Sequence, residues 1–550
     1  MKGWYNETIT SALDKVARRN PAALAIVQGD QRLTYEELLG KAAGIASGLR
    51  KLGIAAGEHV GIFYPNDMVV PILHYASACL GTVCVPINIM VSPQELRHLL
   101  IHADISVLFV GRQFKNRHVG EYLLRALPEL AEGQGTKVAI RDLPKLKWII
   151  QADGSDPFHE SFLSLPAVEE TGATDPLPFV NRAAQPENVS HMLYTSGSTA
   201  LPKGVLLTHR GVLGGAYYRG KAYPLTSKDR CLLLPPLYHT YGLIVLMMCI
   251  HLRGGRLYLL ESYDPLDPQE VLETIERERI TLTNAFDVLL RRILEHPKRP
   301  QYDLSSWQKA GAFPGPSYDL RARAGIRHLS CAYSLTEGSN PVSLVMPEEK
   351  RSAIRQKSNG RPLPGVEVKI VNPESGQVLP PGVSGEIAFR GWNRFVGYYK
   401  PGPEEVPEKI FDKDGYFKTG DRGYLDEEGF LYFQGRYKEV IKTGGENVSS
   451  LEIETFLLSE VPGIAQAQVV GIADEQWGEA VTAFIEVKPG KTLTQQQILQ
   501  ICREKLAAFK VPKHLFFKKE EDWPVTSTGK IWKDELRRQA LNFKAREISS

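Results

Sequence analysis

One stretch decides the fold of this chain: Tyr194-Thr195-Ser196-Gly197-Ser198-Thr199-Ala200-Leu201-Pro202-Lys203-Gly204. It follows His191-Met192-Leu193-Tyr194, whose apolar pattern predicts the end of a buried strand, where α/β sheets place their ligands. Its hydroxyl groups can donate to a polyphosphate, Gly197 lets backbone N–H groups approach, and Lys203 supplies positive charge. It is not a Walker A loop, since the chain has no G-x-x-x-x-G-K-S/T motif. On its own such a loop is more often a surface turn, so the rest of the chain decides between the two interpretations.

The composition is that of an ordinary folded protein with more than one domain. The chain has 550 residues, 43% hydrophobic and 23% charged, which is longer than one hydrophobic core usually serves. Its net charge of +3 is small, which argues against a nucleic-acid partner or a strongly membrane-seeking surface. The first residues lack the apolar core of a signal peptide and the last three are not a peroxisomal address. We therefore expect a cytoplasmic protein, either a monomer or a homodimer.

An uncharged segment, 69–91, is long enough to cross a bilayer. Prolines, a histidine and the pair Gly81-Thr82 interrupt it, so we predict instead a buried helix over about 71–80, a turn at Gly81 and a strand over 83–86. The chain is thus expected to have no transmembrane segment.

The cysteines are scattered and include no CxxC pair. Four of them lie in apolar surroundings, which favours small buried side chains over metal ligands or redox centres. These four are Cys79, Cys84, Cys231 and Cys249.

The order of elements predicts an α/β fold. Thr34 and Glu37 form a capping box at a helix start, and short apolar strands alternate with helices from 59–63 to 280–283. From about Gly360 alternating strands between Pro/Gly turns favour an antiparallel, barrel-like subdomain, and the chain ends in an α+β unit. We predict a large N-terminal domain, residues 1–435, with two βα-type subdomains and a small β-barrel-like subdomain. A mobile α+β domain, residues 436–550, follows.

Eight further motifs follow the loop in a fixed order. They are PLYHTYG (236–242), GAFP (311–314), YSLTE (333–337), GRPLPG (360–365), KTGD (418–421), GRYKE (435–439), GGENV (444–448) and PVTSTGK (524–530). With the loop they resemble the adenylate-forming superfamily, which includes acyl-CoA synthetases, peptide-synthetase adenylation domains and firefly luciferase. The likeness is to the branch that ligates fatty or aromatic acids to CoA. It covers essentially the whole chain, and eight motifs in register are not chance.

The resemblance implies two half-reactions that use ATP, Mg²⁺ and CoA. A carboxylate attacks the α-phosphate of ATP and releases pyrophosphate, and a thiol then displaces AMP from the acyl-adenylate. The residues implied to hold the β- and γ-phosphates are Thr195, Ser196, Gly197, Ser198, Thr199 and Lys203. Thr336 would contact the α-phosphate and Glu337 would bind Mg²⁺, although a Thr-Glu pair alone could simply begin a helix.

The resemblance also implies a nucleotide site. Asp421 would accept hydrogen bonds from both ribose hydroxyls and Arg436 would add a donor. Tyr333 would stack on adenine beside the loop formed by Gly311, Ala312 and Phe313.

The small domain would carry the catalytic lysine, Lys530, between the carboxylate and the α-phosphate. A charge pair at ~4 Å is worth roughly 4 kcal/mol at an effective dielectric constant near 20. Lys438 matches the hinge about which this domain would rotate, withdrawing Lys530. The rotation would present Gly444 and Gly445 to the thiol, with Lys442 and Asn447 contacting the adenylate in that second state.

The acyl pocket is implied by residues near two strand ends. His239 matches the family's aromatic gate between the nucleotide and the acyl pocket, and Tyr241 follows it. The apolar stretch 242–252 is predicted to form a helix that offers a wall for the tail of the acid, although most of that face is expected to be ordinary core. Asn284 and Asp287 come from the neighbouring strand end, where the family usually has a proline in place of Asp287. We expect Asp287 to face the loop and find no cation on the apolar stretch. Monocarboxylic acids with apolar tails are therefore the expected substrates, and amino acids are not.

Three departures from the family pattern stand out. Ala200 and Ser334 replace glycines and Ser450 replaces a proline, but none of the three removes a charged or metal-binding group. Alternatives remain open: the acyl group could go to the phosphopantetheine of an acyl carrier protein, or the chain could be a catalytically silent adenylate-binding scaffold. Luciferase-like oxygenation is a remote alternative.

Overall fold

The structure is a computed structural model that describes residues 3–111, 113–114, 117–132, 136–154, 157–195, 202–262, 267–443, 446–526 and 531–549. It confirms the α/β prediction, with two large mixed sheets, a smaller antiparallel sheet and a C-terminal α+β unit. The Thr34 cap is also confirmed, because the Thr34 hydroxyl accepts from the Glu37 N–H and the Glu37 carboxylate accepts from the Thr34 N–H.

The first large sheet has nine strands within the described residues. In spatial order they are Arg361–Pro362, Ser343–Leu344, His328–Tyr333, Lys309–Ala312, Leu282–Thr283, Arg230–Leu232, Arg256–Leu259, Leu24–Gln28 and Gln31–Thr34. The central strands are parallel and the end strands antiparallel. Three neighbouring parallel strands therefore end at the same edge of the sheet, at Thr283, Ala312 and Tyr333. The candidate site lies at this edge.

The second large sheet has eight strands in the described part of the chain. In spatial order they are Tyr398–Tyr399, Lys203–Thr208, Val189–Thr195, Val83–Pro86, His59–Phe63, Ile105–Val110, Trp148–Gln151 and Phe162–Ser164. The strand Ile105–Val110 is buried along its whole length, as expected where helices cover both faces of a parallel sheet. The strand Val189–Thr195 confirms the strand predicted before the hydroxyl-rich loop.

The uncharged segment forms the predicted helix, turn and strand. The helix Val69–Leu80 is buried at every position, Gly81 ends it at φ +82°, and the strand Val83–Pro86 follows. A positive φ is the conformation that glycine adopts without a Cβ clash. Within the described residues, no helix is both long and apolar enough to cross a membrane.

The cysteines are buried free thiols in the described structure, as predicted for four of them. Cys84 lies opposite His191 in register, and its Sγ is 3.2 Å from Nδ1 of His74, which is 3.2 Å from Nε2 of His191. The donor atoms of the three residues lie within 4.8 Å of one another. Burial lowers the pKa of His74 to about 3, so the three groups form a chain of neutral hydrogen-bonding partners.

The remaining strands of the described residues form two smaller sheets and one hairpin. The antiparallel sheet contains Val366–Val371, Gly385–Gly391, Phe417–Leu425 and Leu431–Arg436. The C-terminal sheet contains Glu446–Ser449, Val440–Thr443, Gly478–Val487, Ile464–Asp474 and the parallel strand His514–Phe517. A separate hairpin pairs Gln113–Phe114 with Arg117–His118.

Helices cover the faces of these sheets. Those of at least two turns are Ile9–Ala17, Tyr35–Lys51, Val69–Leu80, Pro93–His102, Val119–Ala126, Leu165–Ala173, His209–Ala222, Pro268–Arg277, Asp287–Glu295, Pro316–Arg323, Ser450–Glu460, Gln495–Lys505 and Lys533–Ser549. The apolar stretch after His239 is a π-helix, Leu243–Met248, between the single turns Thr240–Gly242 and Cys249–His251. Every residue of that π-helix is buried.

Candidate active site

A buried carboxylate lies at the centre of the site. Asp421 is 4% exposed, on the strand Phe417–Leu425, and stands opposite Arg436 in register. The Tyr333 hydroxyl donates to Asp421 Oδ2 at 2.6 Å, and Arg436 Nε lies 3.2 Å from Oδ1. The strand end that carries Tyr333 and the antiparallel sheet thus meet at this acid.

One oxygen of Asp421 is still able to accept a hydrogen bond. Arg436 is within ion-pair distance, yet Oδ1 has no hydrogen-bond partner among the described residues. Burial raises the pKa of Asp421, while the Arg436 charge and the Tyr333 hydroxyl act in the opposite direction. A buried acceptor without a donor is unusual in a folded protein, and a ligand hydroxyl would satisfy it. The site therefore fits the ribose of a nucleotide.

The Thr336-Glu337 pair begins three residues beyond the end of the strand His328–Tyr333, in the turn Thr336–Gly338. Thr336 is buried and Glu337 is half-buried. The Tyr398 hydroxyl donates to Glu337 Oε1 at 2.9 Å, which holds the carboxylate in place. A carboxylate is the hard oxygen ligand that Mg²⁺ prefers, so Glu337 fits the metal-binding role implied by the sequence.

The lysine that ends the hydroxyl-rich loop has an acidic partner. Lys203 is the first residue of the strand Lys203–Thr208, and its Nζ lies 2.8 Å from Glu405 Oε1. The same Nζ is 5.2 Å from the centre of the Tyr398 ring. Tyr398 therefore lies between Lys203 and Glu337, the two groups expected to act on the phosphates.

Several predicted site residues lie outside the described residues. They are Ser196, Gly197, Ser198, Thr199, Gly444, Gly445, Lys530 and the side chain of Asn447, together with Ala200.

Gly311 and Ala312 of the predicted small-residue loop are the last two residues of the strand Lys309–Ala312. The Gly311 N–H donates to Asn284 Oδ1 at 2.6 Å. A Cβ at Gly311 would be 2.7 Å from the Tyr223 hydroxyl and 3.1 Å from the Tyr241 hydroxyl, so glycine is required by packing. Phe313, the next residue but one, is 52% exposed and offers a ring at the surface of the site.

The gate residues His239 and Tyr241 lie just before the π-helix Leu243–Met248. The Tyr241 N–H donates to His239 Nδ1 at 3.2 Å, which orients the imidazole at the helix start. The Tyr241 ring is 5.8 Å from the ring of Phe286, the residue before Asp287. Tyr241 and Asn284 thus lie near the end of the strand Leu282–Thr283, and His239 is hydrogen-bonded to Tyr241.

Asp287 is engaged by an arginine. Its Oδ1 accepts from Arg321 Nη1 at 2.6 Å and from the Ser317 hydroxyl at 3.0 Å. Arg321 also donates to the backbone oxygen of Ala285 at 2.6 Å, and its side chain is only 2% exposed. The carboxylate therefore joins the helices Asp287–Glu295 and Pro316–Arg323.

Family models match both parts of the chain. The model described as AMP-binding enzyme matches residues 13–399, and the model of the AMP-binding enzyme C-terminal domain matches residues 452–530. The chain belongs to the AMP-binding enzyme family. It is thus a member of the adenylate-forming superfamily that its motifs resemble.

Several relatives of this AMP-binding enzyme have names that state an activity. It is 32% identical to the putative acyl-CoA synthetase YngI of Bacillus subtilis, over 98% of each chain. It is 31% identical to the mitochondrial medium-chain acyl-CoA ligase ACSF2 of Mus musculus, over 97% of this chain and 88% of that protein. The solved anthranilate CoA ligase AuaEII with anthranoyl-AMP shares the fold, with a TM-score of 0.81, 24% identity and coverage of 97% of each chain.

Two departures of this AMP-binding enzyme from the family pattern have structural explanations. Ser334 is not among the residues with positive φ, so the backbone there does not require glycine, and its hydroxyl accepts from Arg219 at 2.8 Å. Ser450 is the first residue of the helix Ser450–Glu460, a position that suits proline. Its hydroxyl accepts from Lys533 Nζ at 3.0 Å.

The proposed hinge lies directly after Arg436. Lys438 belongs to the turn Tyr437–Glu439, and burial, together with the Arg436 charge, lowers its pKa. Lys533, three residues beyond Lys530, pairs with Glu454 at 2.7 Å and lies 3.6 Å from Glu439. Lys442 is exposed, on a strand that pairs it with Asn447.

Sequence reasoning missed four side chains of this site. Tyr398 and Glu405 lie between the recognised motifs, and Tyr223 and Arg219 lie at the end of the helix His209–Ala222. A basic residue in the last turn of a helix usually faces solvent and the helix dipole. No signal in the sequence distinguishes Arg219 from such a residue, yet the structure leaves it only 3% exposed.

Proposed function

We propose that this protein is an AMP-forming acid–thiol ligase that converts a fatty or aromatic carboxylic acid into its CoA thioester. A carboxylate oxygen attacks the α-phosphorus of ATP and pyrophosphate leaves with the electrons of the broken P–O bond. The CoA sulfur then attacks the acyl carbon, AMP leaves, and the thiol proton is released. The observation that carries this proposal is Asp421, a buried acid with an unfilled acceptor beside Tyr333, Arg436 and the Thr336-Glu337 turn.

The proposed roles follow the geometry of these side chains. Asp421 Oδ1 would accept from a ribose hydroxyl, while Oδ2 keeps the Tyr333 hydroxyl. Thr336 would donate to the α-phosphate and Lys203 would bind the β- and γ-phosphates. Glu337 would hold Mg²⁺, which supplies positive charge that offsets the charge of the phosphates.

We further propose that the domain boundary lies at residues 435–436 and that the small domain rotates about Lys438 between the half-reactions. Polar contacts join the C-terminal unit to the rest of the chain, and the Ser449 hydroxyl, for example, donates to the backbone oxygen of Gln434 at 2.7 Å. Arg291 Nη2 donates to Gln466 Oε1 at 2.8 Å, and Arg292 pairs with Glu520. Polar contacts of this kind are readily exchanged on rotation.

Two kinds of observation support a fatty or aromatic acid as the substrate: the residues around the gate at His239 and the names of the relatives. The fully buried π-helix Leu243–Met248 follows His239, which suits an apolar or aromatic body of the substrate. Asp287 Oδ1 accepts from Arg321 and from the Ser317 hydroxyl, so a buried cation already offsets the negative charge that an α-amino group would need. The relatives named acyl-CoA synthetase and medium-chain acyl-CoA ligase support the same class.

The test is acid-dependent pyrophosphate release across a panel of fatty, aromatic and amino acids, with and without CoA, and with acyl-CoA identified by mass. We expect release with fatty or aromatic acids and thioester formation only when CoA is present. Adenylate formed without any use of CoA would point to a carrier-protein acceptor. No release with any acid of the panel would contradict the proposed function.

A further inference from the structure

A buried arginine that has no acidic partner among the described residues lies beside the candidate site. Arg219 is 3% exposed, on the helix His209–Ala222. Its Nη2 donates to the Ser334 hydroxyl at 2.8 Å and to Asn340 Oδ1 at 3.0 Å. Its Nε has no hydrogen-bond partner, and no ion pair joins it to any Asp or Glu, in the part of the chain that the structure describes.

This arginine lies between two segments of the candidate site. Ser334 directly follows Tyr333 and precedes Thr336 by two residues. Asn340 Nδ2 lies 3.5 Å from the hydroxyl of Thr240, the residue between His239 and Tyr241. Arg219 therefore connects the turn that carries the phosphate-contacting residues to the turn that carries the gate.

Two buried tyrosines, Tyr223 and Tyr241, also lie near Arg219. Burial raises the pKa values of Tyr223 and Tyr241, and the Arg219 charge acts against that rise at both. Both hydroxyls also lie beside Gly311, at the end of the strand Lys309–Ala312. Arg219 is thus close to the residues that surround the expected acyl pocket.

Among the residues that the structure describes, no acid forms an ion pair with Arg219. Asp229 is held by Lys309 at 2.5 Å, and Asp287 is held by Arg321 at 2.6 Å. The carbonyl end of the helix supplies the equivalent of only about half a negative charge. A buried cation without a counter-ion is costly, so a bound anion at this position would be strongly favoured.

We propose that Arg219 is a specificity-determining residue that binds a second carboxylate of the acid, so that the preferred substrate is a fatty or aromatic dicarboxylic acid. This inference rests on the proposed function. The guanidinium is a planar fork that matches a carboxylate with two parallel hydrogen bonds. The first carboxylate would meet ATP near Thr336, and the second would reach Arg219 past the gate at His239. This proposal departs from the expectation of monocarboxylic acids, which was drawn from the lack of a cation on the apolar stretch alone.

The experiment compares acids of matched shape. The pairs are suberic with octanoic acid, sebacic with decanoic acid, and terephthalic with para-toluic acid, each tested by ATP-dependent pyrophosphate release. We expect the wild type to favour the dicarboxylic member of at least one pair by at least about tenfold in kcat/KM. In Arg219→Gln, that ratio should fall to about one while the KM for ATP changes by less than about twofold.

Arg219→Lys and Ser334→Ala separate recognition from a merely structural role. Lysine keeps the positive charge but lacks the planar guanidinium that donates two parallel hydrogen bonds. The ratio of kcat/KM between the two acids of a pair should therefore lie between those of the wild type and Arg219→Gln. Ser334→Ala removes a bond that holds the turn but leaves the cation, so the preference should persist. Equal loss on both members of each pair in Arg219→Gln, or a wild-type preference for the monocarboxylic member of every pair, overturns the proposal. Because the wild-type preference is measured directly, a variant that fails to fold does not prevent the test. No release with any acid would instead contradict the proposed function.

Discussion

Lys203 Nζ lies 2.8 Å from Glu405 Oε1, so an acid already binds the cation that closes the hydroxyl-rich loop. The pair is partly solvent-accessible, with 32% and 21% of the two side chains exposed. Tyr398 lies under the same Nζ and donates to Glu337. One aromatic side chain therefore links the lysine expected to bind the outer phosphates to the carboxylate expected to bind Mg²⁺.

Glu405→Gln should lower the KM for ATP by about threefold. The reason is that the phosphates must displace Glu405 from Lys203, and a partly exposed ion pair is worth about 0.2–1 kcal/mol. The measurement is the ATP dependence of pyrophosphate release at saturating acid. Glu404→Gln is the matched control, because Glu404 pairs with Lys409 at 2.6 Å and not with Lys203. A higher KM for ATP in Glu405→Gln would mean that Glu405 helps to hold the nucleotide.

Asp421→Ala should raise the KM for ATP by about tenfold or more and the KM for the acid by less than about threefold. Removing the carboxylate takes away the proposed ribose acceptor and leaves Arg436 without its partner. Steady-state titrations of both substrates measure the two constants. Tyr333→Phe is the companion variant, since it frees Oδ2 but keeps the acid. A larger effect on the acid than on ATP would show that the nucleotide lies elsewhere.

Lys530→Ala should abolish most adenylation and leave thioester formation from supplied acyl-adenylate largely intact. The proposed rotation withdraws Lys530 before the thiol attacks, so the second half-reaction does not need it. Lys442→Ala is the reciprocal variant, with the larger loss expected in thioester formation. Pyrophosphate release and CoA consumption from acyl-adenylate, assayed separately, measure the two effects. Equal losses in both half-reactions for both variants would count against a two-state cycle.

The sequence predicted the fold well because its signals are local. The capping box at Thr34, the interrupted apolar segment that became the helix Val69–Leu80, and the strand before the hydroxyl-rich loop all depend on neighbours within a few residues. The π-helix Leu243–Met248 was expected as an ordinary helix, because an apolar run carries no mark of its hydrogen-bond spacing.

The sequence predicted a residue of the site only where that residue belongs to a recognised motif. Tyr333 and Asp421 stand in two motifs 88 residues apart, but their hydrogen bond is a tertiary contact that neither motif contains. Arg219 and Glu405 belong to no motif, and their roles depend on which charges the fold brings near them. Burial and the absence of an acid are properties of the folded chain, so composition and periodicity could not reveal them.

The last prediction concerns Asp287 and Arg321, whose side chains are 2.6 Å apart. Asp287→Ala should destabilise the protein by about 2 kcal/mol, because it leaves a buried guanidinium unpaired, and the partly exposed aspartate moderates the loss. The double variant Asp287→Ala/Arg321→Met should recover part of that loss, since the unpaired charge is removed with its partner. Urea unfolding midpoints of the wild type, both single variants and the double variant measure this coupling. The wild type should release no pyrophosphate with free amino acids, because Asp287 Oδ1 already accepts from Arg321 and from the Ser317 hydroxyl. Amino-acid activation by the wild type that disappears in Asp287→Ala would instead assign this carboxylate to the substrate's amino group.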